Sequence, residues 1–207
     1  MKPALRLIAL LWLIAPCAPT AAAQFDIVRP LPRDIVGQMR VDAVDVTASA
    51  QAEAAMTAYD AKAAAKPQPA SSARPVQADY AALPFTRMVP LVMEDVTRAW
   101  GLTGGRPVRL VVTVVEFATA NAARAMLGGS RDIMAGLVEV QDARDRKMLG
   151  MFTVKVVNRH IGWSGMLIRG GGIRERLAEE FALETSRVLS GRRSIRPTRQ
   201  AGRSPDN

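Results

Sequence analysis

The run from Val108 to Phe117 constrains the fold of this chain more than any other segment. Apolar residues fall at both odd and even positions of this run, so a strand formed here would carry apolar residues on both faces. Strands of that kind lie inside a sheet, beneath a layer of helices. Gly104 and Gly105 precede the run and mark a turn. The sequence therefore predicts a helix-covered sheet with this segment in a central position.

Three further segments have the composition of strands. Residues 39 to 46 mix β-branched residues with charges at nearly alternate positions, which is typical of a half-buried strand. Residues 133 to 140 and 148 to 157 are apolar and β-branched, and the stretch from Gln141 to Lys147 between them is too polar to be buried. The last two segments are therefore predicted to form a β-hairpin.

Helical periodicity appears in three places. Ser49 can cap a helix from Ala50 to Ala65, in which only Met56 and Tyr59 have bulk for packing, so we expect shallow docking. A second helix carries an apolar stripe at spacings of three and four residues, and Pro90 should kink it or mark its start. The stripe consists of Phe85, Met88, Val89, Val92, Val96 and Trp100.

The last predicted helix begins after a glycine-rich segment. Its apolar positions should face inward, and its three glutamates should face outward. The inward positions are Ile173, Leu177, Phe181 and Val188, and the outward ones are Glu175, Glu179 and Glu180. The order of elements predicts an α+β fold, with a mixed, largely antiparallel sheet of about four strands and two or three helices mainly on one face.

The first 23 residues have the features of a secretion signal. Lys2 and Arg6 precede an apolar run of nine residues, 7 to 15, and the small residues from Ala21 to Ala23 suit a signal peptidase. Nine apolar residues are too few to cross a hydrocarbon core about 30 Å thick. We therefore expect cleavage near Ala23, a mature chain that starts near Gln24, and a periplasmic or secreted protein without an integral membrane segment.

Cys17 leaves a second form of processing open. It is the only cysteine of the chain, and residues 13 to 17 loosely resemble the lipid-attachment box of bacterial lipoproteins. Pro16 stands where such boxes carry Gly or Ala. Cleavage near Ala23 would leave a mature chain without cysteine, and so without disulfides or cysteine-based zinc sites.

Composition divides the chain into five parts. Residues 66 to 75 hold three prolines and two serines, which is typical of a linker. The C-terminal stretch is rich in arginine and has almost nothing to pack. We predict a signal peptide at 1–23, an N-terminal lead-in with the first strand and an Ala-rich helix at 24–65, and a Pro/Ser-rich linker at 66–80. An α+β core at 81–190 then pairs with the first strand, and a disordered Arg-rich tail follows at 191–207.

The enzymatic alternative depends on His160, the only histidine. A histidine can act as a general base, but the G-x-S-x-G motif of a nucleophilic serine is missing, since Trp163-Ser164-Gly165 lacks its first glycine. Side chains at adjacent positions of a helix point in different directions. Glu179 and Glu180 are therefore not placed to act together as a general acid and a general base. We expect a protein that is not an enzyme and holds no cofactor or metal, with a periplasmic hydrolase or transferase using His160 as the alternative.

Two basic features are candidate binding sites. Gly170, Gly171 and Gly172 precede the last helix between Arg169 and Arg174, and amides at a helix N-terminus attract anions. The Gly-Lys-Ser/Thr of a P-loop is absent, so the segment is either an anion site or only a loop into the helix. The five arginines of the tail form the other candidate, and they are Arg192, Arg193, Arg196, Arg199 and Arg203.

The partners of the tail follow from its charge and its compartment. The formal net charge of the chain is +9, and it falls to +7 when Lys2 and Arg6 are removed with the signal. Export and the lack of interleaved aromatic residues argue against nucleic acid. An anionic envelope surface or an envelope protein fits better, and the other possibility is a tail that only adds solubility.

One stretch carries a family pattern. Its residues are Leu110-x-Val112-x-Val114-x-x-Phe117, then Asn121 followed by Gly128-Gly129-Ser130, then Ile133 through Val138-Glu139-Val140-x-Asp142. This pattern resembles a domain-of-unknown-function family of secreted or lipid-anchored Gram-negative envelope proteins, over about residues 107–190. The chain departs from that family at the hairpin turn, where Arg144-Asp145-Arg146 replaces Thr-Gly-Lys. The resemblance implies an envelope location and a non-catalytic α+β domain.

Together these features predict a non-enzymatic binding or assembly accessory of the cell envelope, with an unknown ligand. Two structural features separate this function from the enzymatic alternative. An enzyme needs a pocket that holds His160 beside a nucleophile or an acid. A binding module instead presents an exposed apolar patch or sheet edge.

Overall fold

The computed structural model describes residues 21–65, 80, 83–119, 130–160 and 172–192. Within these ranges the chain forms five strands and three helices. In chain order they are β1 (Ala21–Arg29), β2 (Met39–Ala48), α1 (Ala50–Ala65), α2 (Phe85–Ala99), β3 (Arg106–Ala118), β4 (Ser130–Asp142), β5 (Met148–His160) and α3 (Ile173–Ser190).

All five strands belong to one sheet, in the order β1-β5-β4-β3-β2. The pair β2 and β3 is parallel, because the helices between them return the chain to the same end of the sheet, and the other pairs are antiparallel. The predicted α+β fold with a mixed, largely antiparallel sheet is confirmed. The sheet has five strands rather than about four, because residues 21 to 29 pair with β5 as an edge strand.

The internal strand β3 shows why the helices cover one face of the sheet. Val108, Leu110, Val112 and Val114 are 0% exposed. The residues that alternate with them are mostly half-buried on the other face. Successive side chains of a strand point to opposite faces, so the described helices pack on the face that carries the fully buried residues.

The helix α2 carries the predicted apolar stripe. Its backbone begins at Pro84, whose carbonyl accepts hydrogen bonds from the amides of Arg87 and Met88, both at 3.0 Å. Pro90 lies inside the helix, so the interpretation of this proline as the helix start is wrong. The buried members of the stripe are Phe85, Met88, Val89 and Val92, and Val96 and Trp100 are half-buried.

The helix α1 docks shallowly, as its composition predicts. Ala52 and Met56 are buried, and Tyr59 is half-buried with its ring edge-on to Phe117 at a centroid distance of 6.1 Å. Ser49 caps the helix, because its hydroxyl accepts a hydrogen bond from the amide of Ala52 at 3.2 Å. Most other side chains between residues 50 and 62 are exposed.

The helix α3 packs its predicted inward face on the sheet, with Leu177 and Phe181 both 0% exposed. The prediction for Glu175 is wrong, since this residue is only 6% exposed. It turns inward because it forms an ion pair with the buried guanidinium of Arg174. Glu179 and Glu180 are half-buried rather than fully outward.

The connection from β1 to β2 crosses one end of the sheet, because these strands lie at opposite edges. Four strand spacings amount to about 19 Å, which a segment of nine residues can span with slack. Ile35 is buried on the way, and the amide of Gly37 donates to the carbonyl of Leu189 at 2.9 Å. The connection between β1 and β2 therefore covers the core at the C-terminal end of α3.

The predicted hairpin is formed by β4 and β5, which pair antiparallel. Asp142, in the stretch predicted to be too polar for burial, is 5% exposed. Its two carboxylate oxygens accept hydrogen bonds from the amide of Arg144 at 2.8 Å and from Nε of Arg106 at 2.7 Å. These two donors hold the pKa of Asp142 below its ordinary value, and they compensate the burial of its charge.

The predicted domain boundaries stay predictions. The linker at 66–80 lies outside the described residues except for Tyr80, and the tail at 191–207 lies outside them except for Gly191 and Arg192.

Candidate functional site

The structure describes two of the residues that we predicted to bind an anion or a surface. Gly172 is the N-cap of α3, and Arg192 is exposed just after the end of that helix. The other predicted residues, which are Gly170, Gly171, Arg193, Arg196, Arg199 and Arg203, lie outside the described ranges. Their binding roles stay predictions.

Gly172 is the N-cap residue of α3, so no side chain caps the start of this helix. Its backbone has a φ of 77°, in the left-handed region that favours glycine. A Cβ at this position would lie 3.7 Å from Oε2 of Glu175. A carboxylate of the chain itself therefore lies close to the positive end of the helix dipole.

The polar centre of this region is Arg174, in the first turn of α3, which is 6% exposed. Its Nε donates to Oε1 of Glu175 at 2.7 Å, and one terminal nitrogen donates to Oδ1 of Asp60 at 2.6 Å. Its other terminal nitrogen donates to the carbonyl of Tyr80 at 3.2 Å. We call Arg174, Glu175 and Asp60 the Arg174 cluster, and it joins α1 to α3.

Asp60 extends the cluster to α2. Its second carboxylate oxygen accepts a hydrogen bond from the amide of Phe85 at 3.2 Å, at the start of that helix. One carboxylate on α1 therefore contacts the first turns of both other helices.

The charged groups of the Arg174 cluster stabilise one another. Burial alone would lower the pKa of Arg174, but the hydrogen bonds and charges of Glu175 and Asp60 outweigh burial and raise it. Burial, and then the charge of Glu175, raise the pKa of Tyr59 to about 12, so that phenol is neutral at physiological pH. Arg174, which we predicted to flank an anion site, already binds two carboxylates of the chain.

A half-buried carboxylate, that of Glu180, lies further along α3. Burial raises the pKa of Glu180, although a hydrogen bond from Asn158 on β5 and the charge of Arg176 act in the opposite direction. One of its oxygens, Oε2, is buried without a hydrogen-bond partner. Ionisation of Glu180 is therefore less favourable in the folded protein than in the unfolded chain.

Replacing Glu180 by glutamine is expected to raise the melting temperature at neutral pH. The raised pKa means that the folded state holds the proton more tightly than the unfolded state, so ionisation of Glu180 destabilises the fold above its folded-state pKa. The gain should vanish as the pH falls to the ordinary range of a glutamate and the wild-type side chain becomes protonated. Thermal unfolding across pH measures this difference, with Glu53→Gln as an exposed control; a gain that is independent of pH would contradict it.

The edge strand β1 presents the largest group of exposed apolar side chains that the structure describes. Phe25, Ile27 and Val28 are 47%, 51% and 56% exposed. Phe25 pairs with Val154 and Ile27 with Phe152, two buried residues of β5. Both side chains therefore point to the helix-covered face of the sheet but lie at its edge.

Other exposed large apolar residues in the described ranges stand apart. They are Leu91 on α2 and Val115 on β3, at 41% and 50% exposure. Single residues of this kind are normal on protein surfaces, whereas a group on one strand marks a contact surface. The apolar edge is therefore the candidate interaction site.

The sequence analysis did not predict that residues 21 to 29 form an edge strand. We predicted only a lead-in from residue 24, and Pro30 and Pro32 interrupt the pattern of this segment. The alternation of polar and apolar residues from Gln24 to Ile27 is the signal that could have indicated a strand.

The enzymatic alternative, which depends on His160, stays a prediction. His160 is the last residue of β5, where its backbone pairs with that of Ser130. A cavity of about 180 Å³ lies elsewhere, between β2 and α2, and its lining includes Arg40, Asp42, Glu94 and Arg98.

Within the described ranges, no group of three or more His, Cys, Asp or Glu side chains is placed to hold a metal ion. No helix in the described part of the chain has the length and apolar character needed to cross a membrane.

No protein family and no curated protein matches the chain. Solved structures resemble it at low identity. PelC from Paraburkholderia phytofirmans, a dodecamer, matches at 10% identity with a TM-score of 0.42, over 83% of this chain and 98% of that one. A DUF330 protein from Xanthomonas campestris matches at 16% identity and a TM-score of 0.42, over 78% of this chain and 91% of that one.

A third match is a protein from Caulobacter crescentus CB15 that is named as a lipoprotein. It has 17% identity and a TM-score of 0.35, over 50% of this chain and 81% of that one. One of the matched proteins is thus named as a lipoprotein, and another belongs to a domain-of-unknown-function family. Likeness at this level gives no basis for carrying a function over.

Proposed function

We propose that this protein is a non-enzymatic binding or assembly accessory of the Gram-negative cell envelope, and that it binds an envelope protein through the edge of β1. The observation that carries this proposal is the exposure of Phe25, Ile27 and Val28 on a single edge strand. Export, predicted from the first 23 residues, would bring this edge into contact with envelope partners.

The edge has the chemistry of a strand-addition site. An edge strand offers unpaired backbone donors and acceptors, and side chains at alternate positions supply specificity. Asp26, Arg29, Pro30 and the register shift between Ile27 and Arg29 restrict pairing with arbitrary strands. The accessible stretch is therefore short and specific, and it suits an extended partner segment with apolar residues opposite Phe25 and Ile27.

Processing near Ala23 is compatible with this role. It would remove the first three residues of β1 and leave Gln24 to Arg29, which include all of the exposed apolar positions. The arginine tail would supply a second, salt-sensitive contact with an anionic envelope surface.

Changing both Phe25 and Ile27 to serine is expected to reduce the capture of partners from envelope extracts by about tenfold or more. Two apolar anchors, each worth about 1 to 2 kcal/mol of binding free energy, account for a loss of that size. The matched control changes Leu91 and Val115 to serine, since these residues have similar exposure on other elements. Quantitative co-purification compares the three proteins, and equal capture by wild type and the edge variant would overturn the proposal.

A further inference from the structure

The helix α1 is fastened mainly at its two ends. At its start, the amide of Ser49 donates to the carbonyl of Val114 at 2.9 Å, and its hydroxyl donates to the carbonyl of Val115 at 3.2 Å. The same hydroxyl caps the helix. Ser49 therefore fixes the start of α1 to the end of β3.

The body of α1 contributes little packing. Its apolar contacts with the core come from Ala52 and Met56, which are buried, and from Ala55 and Tyr59, which are partly buried. By contrast, α2 and α3 bury large side chains such as Phe85, Met88 and Phe181 completely or nearly so. Elements with few buried apolar contacts open locally at a lower free energy than the rest of a protein.

The far end of α1 is held by the Arg174 cluster. Asp60 binds the guanidinium of Arg174 at 2.6 Å and the amide of Phe85 at 3.2 Å. The side chain of Asp60 is 28% exposed, whereas that of Arg174 is 7% exposed. Release of α1 would therefore return Asp60 to water and leave Arg174 paired with Glu175.

We propose that α1 is a releasable cover of the sheet, hinged at Ser49 and held closed by the contacts of Asp60. Tyr59 of α1 packs edge-on against Phe117, which is 5% exposed, and the ring centroid of Phe117 lies 4.7 Å from that of Phe85, which is 2% exposed. Opening of α1 uncovers this aromatic surface while β3, α2 and α3 stay in place. This device is independent of the edge strand and of any partner that binds there.

Hydrogen exchange on the full-length protein tests the cover. Amides within α1 should exchange at least about tenfold faster than the most protected amides of α2 and α3, because α1 opens without global unfolding. Asp60→Asn, which keeps the shape of the side chain but removes its charge, should speed exchange in α1 by about a further tenfold, the effect of losing one charge-assisted hydrogen bond. Exchange of the interior amides of α2 and α3 should not change. Dye binding to exposed apolar surface should rise in the same variant.

The control is Asp34→Asn, which removes the same charge from an exposed position in the connection between β1 and β2. It should leave exchange in all three helices unchanged. Equal protection of the three helices in the wild-type protein would overturn the proposal. So would an Asp60→Asn variant in which all three helices exchange faster together, since the cluster would then stabilise the whole layer rather than hold α1 closed.

Discussion

Replacing Arg174 by methionine is expected to lower the free energy of unfolding by about 3 to 5 kcal/mol, as the loss of one partner from a buried ion pair does. Methionine keeps an unbranched stem but removes the three hydrogen bonds that Arg174 donates to Glu175, Asp60 and Tyr80. Glu175, at 6% exposure, would keep its charge in the core without the guanidinium. The loss therefore comes mainly from an uncompensated buried carboxylate.

Urea unfolding measures this loss, and two further variants separate its causes. Arg174→Met combined with Glu175→Gln should recover a large part of the stability, because the buried charge is then gone. Arg98→Met removes a cation that is 66% exposed and lies 3.0 Å from Asp95, and it should change stability by less than about 1 kcal/mol. If the two single variants lose equal stability, the Arg174 cluster contributes no more than an exposed ion pair.

The elements inside the fold could be predicted from sequence because their patterns are periodic. The apolar run of β3, the stripe of α2 and the caps and composition of α1 each gave the right element with nearly the right bounds. The edge strand β1 could not be predicted in the same way. It packs one side against β5 and leaves the other unpaired, so only a short alternation around Phe25 marks it.

The Arg174 cluster shows why contacts between helices are harder to predict than the helices themselves. Arg174, Glu175 and Asp60 are ordinary surface residues by composition, and the sequence placed Glu175 on the outer face of α3. The separation of Asp60 and Arg174 along the chain is 114 residues, and no local pattern encodes a contact of that kind. The burial of Arg174 and Glu175 and the position of Asp60 depend on how α1, α2 and α3 meet on the sheet, which is a tertiary property.

Replacing Phe181 by alanine is expected to destabilise the fold by about 3 to 5 kcal/mol, the usual range for removing a fully buried aromatic side chain. Phe181 is 0% exposed and packs its ring against β4. Its loss leaves a cavity between α3 and the sheet, in the buried core to which Val138 and Leu177 also belong. Denaturant unfolding measures the loss, and Phe181→Leu should lose less because more of the volume is kept.

A second substitution tests whether the ring occupies the space above Gly136. A Cβ at that position would lie 3.1 Å from the ring of Phe181 and 3.0 Å from the carbonyl oxygen of Thr113, so Gly136→Ala should destabilise the wild-type protein. In the Phe181→Ala background the ring is gone and only the carbonyl contact remains. The double variant should therefore be more stable than the sum of the single losses predicts, by about 0.5 to 3 kcal/mol. Strict additivity would mean that Phe181 packs elsewhere and that α3 presents a different face to β4.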